Sequence, residues 1–161
     1  MDEAVYERFD TNAGFQQAIS RLLAQPGREL RVFDPDGASL GLNDPARIGE
    51  LERFLLASRT HRLYLVLHET EHLTRQCPRM MALLARFTHA IQIHRTQEPI
   101  RNLQDAFWVL DSQHFVRRPV ATLFRGAMGL NDESEGQVMR QRFMEIWEHS
   151  YPGVSSTTAG L

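Results

Sequence analysis

Three short apolar runs separated by two amphipathic segments constrain this chain most. Arg62–Leu67 (RLYLVL) is too short and too apolar for a surface helix and reads as a buried strand. Leu30–Phe33 and Ala90–His94 read as strands on either side of it. Between the first two, Asn43-Asp44-Pro45 supplies a helix start, with Asp44 as N-cap and Pro45 at the first helical position. Ile48, Leu51 and Leu55 form that helix's buried stripe. Pro78 opens the next helix, with Met81, Leu84, Ala85 and Thr88 on one face. Strand–helix–strand–helix–strand argues for parallel neighbours joined by right-handed crossovers. The expected fold class is α/β: a mixed, mostly parallel sheet flanked by helices.

The flanking segments extend that frame. Phe15, Ala18, Ile19, Leu22 and Leu23 recur at helical spacing until Pro26-Gly27 stops them. After a polar segment at Arg95–Asn102, Ala106–Asp111 and Phe115–Arg118 read as a hairpin around Ser112-Gln113, a turn without the preferred glycine. Val120–Phe124 reads as a further strand. Asp132 and Glu135 have capping-box spacing ahead of a helix whose buried side is Val138, Met139, Phe143, Ile146 and Trp147. One domain is expected over residues 1–161, with its core at about 9–150 and a loose tail at 151–161.

Composition narrows the chemistry. All 18 basic residues other than histidine are arginine. That removes lysine as a Schiff base, catalytic amine or phosphate-loop residue, and leaves anion contact to arginine, histidine or backbone N–H groups. The formal net charge of -2 gives no general reason to expect nucleic-acid or membrane binding. The single cysteine, Cys77, excludes an internal disulfide and fits a reducing compartment. The acidic start MDEAVYERFD lacks the apolar core of a secretory signal, so the expected location is the cytoplasm.

Ligands of open parallel sheets bind beyond the carboxyl ends of the strands. Those ends carry Asp34 and Asp36, His68 and Glu69, and His94 and Arg95. Two partial motifs fall there. Asp34-Pro35-Asp36-Gly37 after a strand resembles the first motif of haloacid-dehalogenase-type phosphatases, in which the first aspartate is the nucleophile and the second the acid/base. The later acidic pair such enzymes need is missing, and a Pro-Asp-Gly turn explains the residues without chemistry. His68-Glu69-Thr70-Glu71-His72 fits the zinc-protease signature H-E-x-x-H, with Glu69 as general base. Because it follows a strand directly, its two histidines are not expected on one helical turn, and no third ligand stands at a usual spacing. Cys77, near a helix start, has no base partner and reads as a small packed residue. Of Arg117-Arg118, only one can face a given pocket, since strand neighbours point to opposite sides. Surface ion pairs to the acidic last helix are at least as good a reading of that pair as anion binding.

The order of elements, the apolar strand ending at Asp111 and the closing Phe143-Met144-Glu145-Ile146-Trp147 (F-x-x-x-W) resemble a half-domain of the phospholipase D superfamily over about residues 9–150. Cys77–Arg79, Arg101–Phe107 and His114–Arg118 are also similar to an uncharacterised group of bacterial proteins with no established activity. The superfamily's chemistry depends on H-x-K-x-x-x-x-D, its histidine attacking phosphorus and its lysine holding phosphate oxygens. Aligned on Asp111, that motif puts Gln104 at the histidine and Ala106 at the lysine. An amide cannot act as that nucleophile, and a methyl cannot bind an oxyanion. The resemblance therefore implies a degenerate copy with no catalytic residue. It also implies a homodimer formed through the motif face, with Phe107, Trp108 and Phe115 serving core or interface.

The expected function is a non-catalytic binding or regulatory module, with a phosphorylated or anionic small molecule as the candidate ligand. The candidate site is Asp111, His114, Arg117 and Arg118 with His68 and His72, the arginines for an anion, the histidines for a proton or metal, and Asp111 to orient them. No cofactor, no resident metal, no membrane and no nucleic-acid partner are expected. The alternative is an enzyme, either a metal hydrolase on His68/Glu69/His72 or a phosphatase on Asp34/Asp36.

Overall fold

The computed structural model describes residues 3–156. In chain order the elements are β1 (Val5–Phe9), α1 (Asn12–Leu23), β2 (Glu29–Asp34), α2 (Pro45–Leu56), β3 (Arg62–Leu67), α3 (Glu71–Gln76), α4 (Pro78–Arg86), β4 (Ile91–Thr96), β5 (Ala106–Leu110), β6 (His114–Arg118), β7 (Gly126–Leu130), α5 (Glu133–Glu148) and β8 (Ser150–Val154). The strands form one mixed sheet in the order β1-β7-β6-β5-β2-β3-β4-β8. Helices flank both faces. α1 to α4 pack on the side of Leu30, Val32, Leu65, Trp108 and Val116, while α5 covers Phe33, Val66, Phe107 and Val109 through Phe143 and Ile146.

The mixed α/β architecture matches the expectation, but the balance of pairing does not. Only β2–β3 and β3–β4 pair in parallel, and the other five pairings are antiparallel. Crossover helices join only β2, β3 and β4; β5, β6 and β7 follow one another as an antiparallel meander, and β1, β5 and β8 pair antiparallel with β7, β2 and β4, which are distant in the chain. Both edge strands lie outside the expected set. β1 is almost wholly exposed and so shows no apolar alternation to read. β8 occupies the start of the expected loose tail despite Pro152 and Gly153, and residues 157–161 of that tail lie outside the described residues.

Val120–Phe124 is not a strand; the chain turns there and β7 follows at Gly126–Leu130. Its glycines are what hid it. A Cβ on Gly126 would stand 1.9 Å from the Arg117 carbonyl oxygen, and one on Gly129 would stand 2.2 Å from the Phe115 ring, so neighbours press where side chains would otherwise be. The helix starts are as expected. Asp44 accepts from the Ala46 N–H and Asp132 from the Glu135 N–H. The buried stripes shift by a residue or two. Val138 is exposed, and α4 buries Met80, Met81, Leu83 and Leu84 rather than Ala85 and Thr88. Phe107, Trp108 and Phe115 are all core residues, Phe107 facing α5 and Trp108 the opposite layer. No helix among the described residues is long and apolar enough to cross a membrane.

Candidate functional site

The six candidate residues do not converge. Asp111 and His114 flank the turn of the β5–β6 hairpin, whereas Arg118 closes the far end of β6, roughly 13 Å along a five-residue strand. Asp111 adopts φ 54°, and its Oδ1 accepts the backbone N–H groups of Arg28 (3.0 Å) and Glu29 (2.9 Å). It clamps the start of β2 and orients no arginine. His114 is buried, and its Nδ1 accepts the Asn131 N–H at 3.1 Å. Arg117 points to the α5 side, to Glu135 (3.3 Å) and the Tyr6 hydroxyl (2.9 Å). Glu135 thus serves Arg117 rather than closing a reciprocal capping box.

His68 directly follows β3, and both of its ring nitrogens are engaged. Nε2 lies 2.8 Å from the Leu103 carbonyl, which can only accept, and Nδ1 lies 2.7 Å from the Thr96 hydroxyl. The Leu103 carbonyl fixes Nε2 as a donor, while the Thr96 hydroxyl can either donate to Nδ1 or accept from it. His72 sits in α3, half-buried, apart from that network, and Glu69 holds Arg95 at 2.9 Å. The zinc-protease reading therefore fails on geometry: the two histidines share no helical turn. Among the described residues no three His, Cys, Asp or Glu side chains are placed to hold a metal ion.

What the strand-exit end does assemble is an ion pair that sequence reasoning missed. Arg118 reaches across β5 from β6 to Asp34 at the end of β2, with 2.9 Å between guanidinium and carboxylate and both side chains 1% exposed. Asp34 Oδ2 accepts the N–H groups of Gly37 (2.7 Å) and Asp36 (3.3 Å). Asp36 in turn accepts from Ala38. Both Asp34 oxygens are thus engaged, Oδ1 by Arg118 and Oδ2 by the turn, and the carboxylate is buried rather than open as the phosphatase reading requires. Arg118 also donates to the Ser39 hydroxyl (2.8 Å) and the Ala121 carbonyl (2.9 Å), and its guanidinium stacks 4.2 Å from the Phe15 ring centre.

The register explains how the pair crosses a strand. Ala106 lies opposite Arg118, and Phe107 lies opposite Phe33, so Ala106 stands between Arg118 and Asp34 on the α1 face. Its methyl is small enough for the guanidinium to pass. Burial pushes the Asp34 carboxyl above the usual carboxylate range, opposed by the Gly37 N–H and the Arg118 charge. Burial also lowers the Arg118 guanidinium, with Asp34 opposing, but arginine remains charged.

Beside this pair opens a cleft of about 990 Å³ between α1, the segment 38–47 and Phe124. Arg47 forms its floor, 4% exposed, donating to Glu50 (2.8 Å), Gln16 Oε1 (2.6 Å) and Ser20 (3.3 Å). Burial lowers its guanidinium, countered by Glu50 and Asp44. The cleft is therefore charge-balanced and rich in amide and hydroxyl groups. Cys77 is buried, which pushes its thiol up and away from reactivity.

Residues 11–155 match the family model described as Domain of unknown function (DUF7931). No curated protein sequence matches the chain. Many solved structures share its fold, three of them as follows. TrmBL2, an archaeal chromatin protein, superposes with a TM-score of 0.64 at 12% identity over 92% of this chain and 54% of its own. Nuc from Salmonella typhimurium, a phospholipase D family member, gives 0.63 at 10% identity over 95% and 100%. Phosphatidylserine synthase from Haemophilus influenzae gives 0.58 at 11% identity over 98% and 41%. This chain thus spans about half of TrmBL2 and the whole of Nuc. At such identities the likeness establishes the phospholipase D-like fold and nothing of the activity.

Proposed function

The chain belongs to the DUF7931 family on a phospholipase D-like frame, and from that premise we propose that it is a non-catalytic binding or regulatory module. One observation carries the reading. The position where the superfamily's motif would place its lysine is Ala106, and the space above it is filled by the Asp34–Arg118 pair. The place for a phosphate is occupied by the protein's own salt bridge. Gln104 stands at the nucleophile position, and the nearby His68 has neither ring nitrogen to offer.

The arginines expected to hold an anion are neutralised, Arg118 by Asp34 and Arg117 by Glu135. A small ligand of this module enters the α1–α2 cleft instead, where Gln16, Ser20 and the Arg47–Glu50 pair offer hydrogen bonds without net charge. Phosphorylated compounds bind there through their polar scaffold rather than their phosphate. The module acts as a homodimer.

Thermal melts across a panel of phosphorylated and uncharged polar metabolites test this. At least one compound is expected to raise the melting temperature of the wild type, since a ligand at about 100 times its Kd adds roughly 2.7 kcal/mol. Gln17→Trp, an exposed substitution that fills the cleft mouth, should abolish the rise while leaving the unliganded melting temperature unchanged. A panel with no stabilising compound, or a rise that survives Gln17→Trp, would refute the cleft. Sedimentation equilibrium checks the dimer, and a monomer at micromolar concentration would refute that part.

A further inference from the structure

The net charge of -2 is that of the whole chain, and one edge of the sheet departs from it. At the end of the sheet where β2, β3 and β4 begin, opposite the Asp34–Arg118 end, arginines collect. Arg28 precedes β2 and Arg62 opens β3, the two joined by a 2.9 Å bond from the Arg62 N–H to the Arg28 carbonyl. The crossover helices run back to this same end, so the last turns of α2 and α4 deliver Arg53 and Arg86, and the turn before β3 adds Arg59. All but Arg62 are exposed, and His89, before β4, is exposed beside them.

The carboxylates nearest these arginines are held. Glu52 is held by Arg86 at 3.0 Å, Asp111 clamps backbone N–H groups, and Glu29 is paired with Arg31 at 2.7 Å. The acidic first turn of α5 reaches this end on the other face, where Gly136 packs against the Ser112 carbonyl. Arg28, Arg53 and Arg59 make no ion pair among the described residues. Arg86 is thus spent on Glu52 and Arg62 donates to the Arg59 and His61 carbonyls, while Arg28, Arg53 and Arg59 are spread along an exposed edge without an acidic partner.

We propose that this strand-entry rim is a binding surface for the phosphate backbone of a nucleic acid. Guanidinium forks match phosphodiester oxygens two at a time, and a line of them follows a polyanion without reading sequence. A membrane surface would need apolar side chains to insert, and Leu56 is the one large exposed apolar residue on these helix ends. The surface lies away from both the cleft and the degenerate motif, so it stands or falls independently of the module reading above.

Fluorescence anisotropy on the full chain, with labelled single- and double-stranded DNA of mixed sequence, tests it. Wild type should bind at low salt, and about four phosphate contacts would cost about a hundredfold in affinity between about 50 and 200 mM salt. Arg28→Glu/Arg53→Glu/Arg59→Glu should weaken binding by about tenfold or more. Arg28→Gln/Arg53→Gln/Arg59→Gln should weaken it less and guards against misfolding of the reversed variant. Arg8→Glu/Arg75→Glu/Arg125→Glu, equal in charge change but off the rim, should leave affinity within about twofold. No binding to either DNA, equal losses in rim and control variants, or binding to phosphatidylglycerol vesicles but not DNA would each overturn the proposal.

Discussion

Replacing Arg118 by Met keeps an unbranched stem against Phe15 but removes the cation from a carboxylate that is 1% exposed. Asp34 then retains only its bonds to Gly37 and Asp36. Breaking one side of a buried pair costs about 3–5 kcal/mol, because the remaining charge has no solvent and no counterion. The Ser39 and Ala121 acceptors lose their donor too, at about 1 kcal/mol each where water does not replace it. Urea denaturation at neutral pH should therefore show a loss of about 4–6 kcal/mol. Asp34→Asn/Arg118→Met should recover most of it, since the amide oxygen still accepts from the turn without a charge.

The pH dependence gives an independent signature. In Arg118→Met the folded carboxyl rises further above its ordinary 3.8, so the folded state holds a proton that the unfolded state has released. Stability of the variant then falls as pH rises through that window, by up to about 1.4 kcal/mol per pH unit, and its deficit shrinks in acid. A loss under about 1 kcal/mol that is flat in pH would mean that the pair is solvated like a surface bridge, and the closed-site argument would fail.

Three further perturbations follow from the packing. Trp108 Nε1 is buried without a hydrogen-bond partner, so Trp108→Phe forfeits no bond and should cost about 1–2 kcal/mol, against about 3–5 for Trp108→Ala, read from chemical denaturation. Asp111→Ala loses the clamp on Arg28 and Glu29 and strains a φ of 54°, for about 2–3 kcal/mol, whereas Asp111→Asn should keep most of the stability; equal losses would show that the carboxylate's charge matters rather than its acceptor geometry. His94 stacks on Trp147 at 3.6 Å, and burial lowers it below the usual 6.5, so its neutral form is favoured by folding. Stability it contributes is present above about pH 6.5 and lost as the pH drops through its folded value, a decline that His94→Gln should flatten in thermal melts.

Local signals carried well and non-local ones did not. Asp44-Pro45 and Asp132 mark helix starts through chemistry within three residues, and RLYLVL is apolar enough to declare a central strand. Edge strand β1 and its neighbour β7 left no such trace, because β1 faces water and β7 is built on glycines that give way to Arg117 and Phe115. The site was legible only in pieces. Asp34 and Arg118 each stood out at a strand end, but they are 84 residues apart in the chain, and their meeting depends on β5 lying between β6 and β2 with a small residue at the crossing. Asp111 misled because an aspartate ending a strand looks the same whether it serves a ligand or two backbone N–H groups. H-E-x-x-H is meaningful only on a helix, and the apolar strand ending just before His68 already argued from the sequence that the two histidines share no helical turn.

Phosphodiester hydrolysis tests the account's central claim most directly. The assay is turnover of bis(4-nitrophenyl) phosphate by wild type and by His68→Ala, with and without added divalent cations. A strand-exit end sealed by Asp34 and Arg118 predicts rates no higher than buffer for both proteins. Wild-type turnover that disappears in His68→Ala would contradict it, because an imidazole held between Thr96 and Leu103 would then be acting on phosphorus.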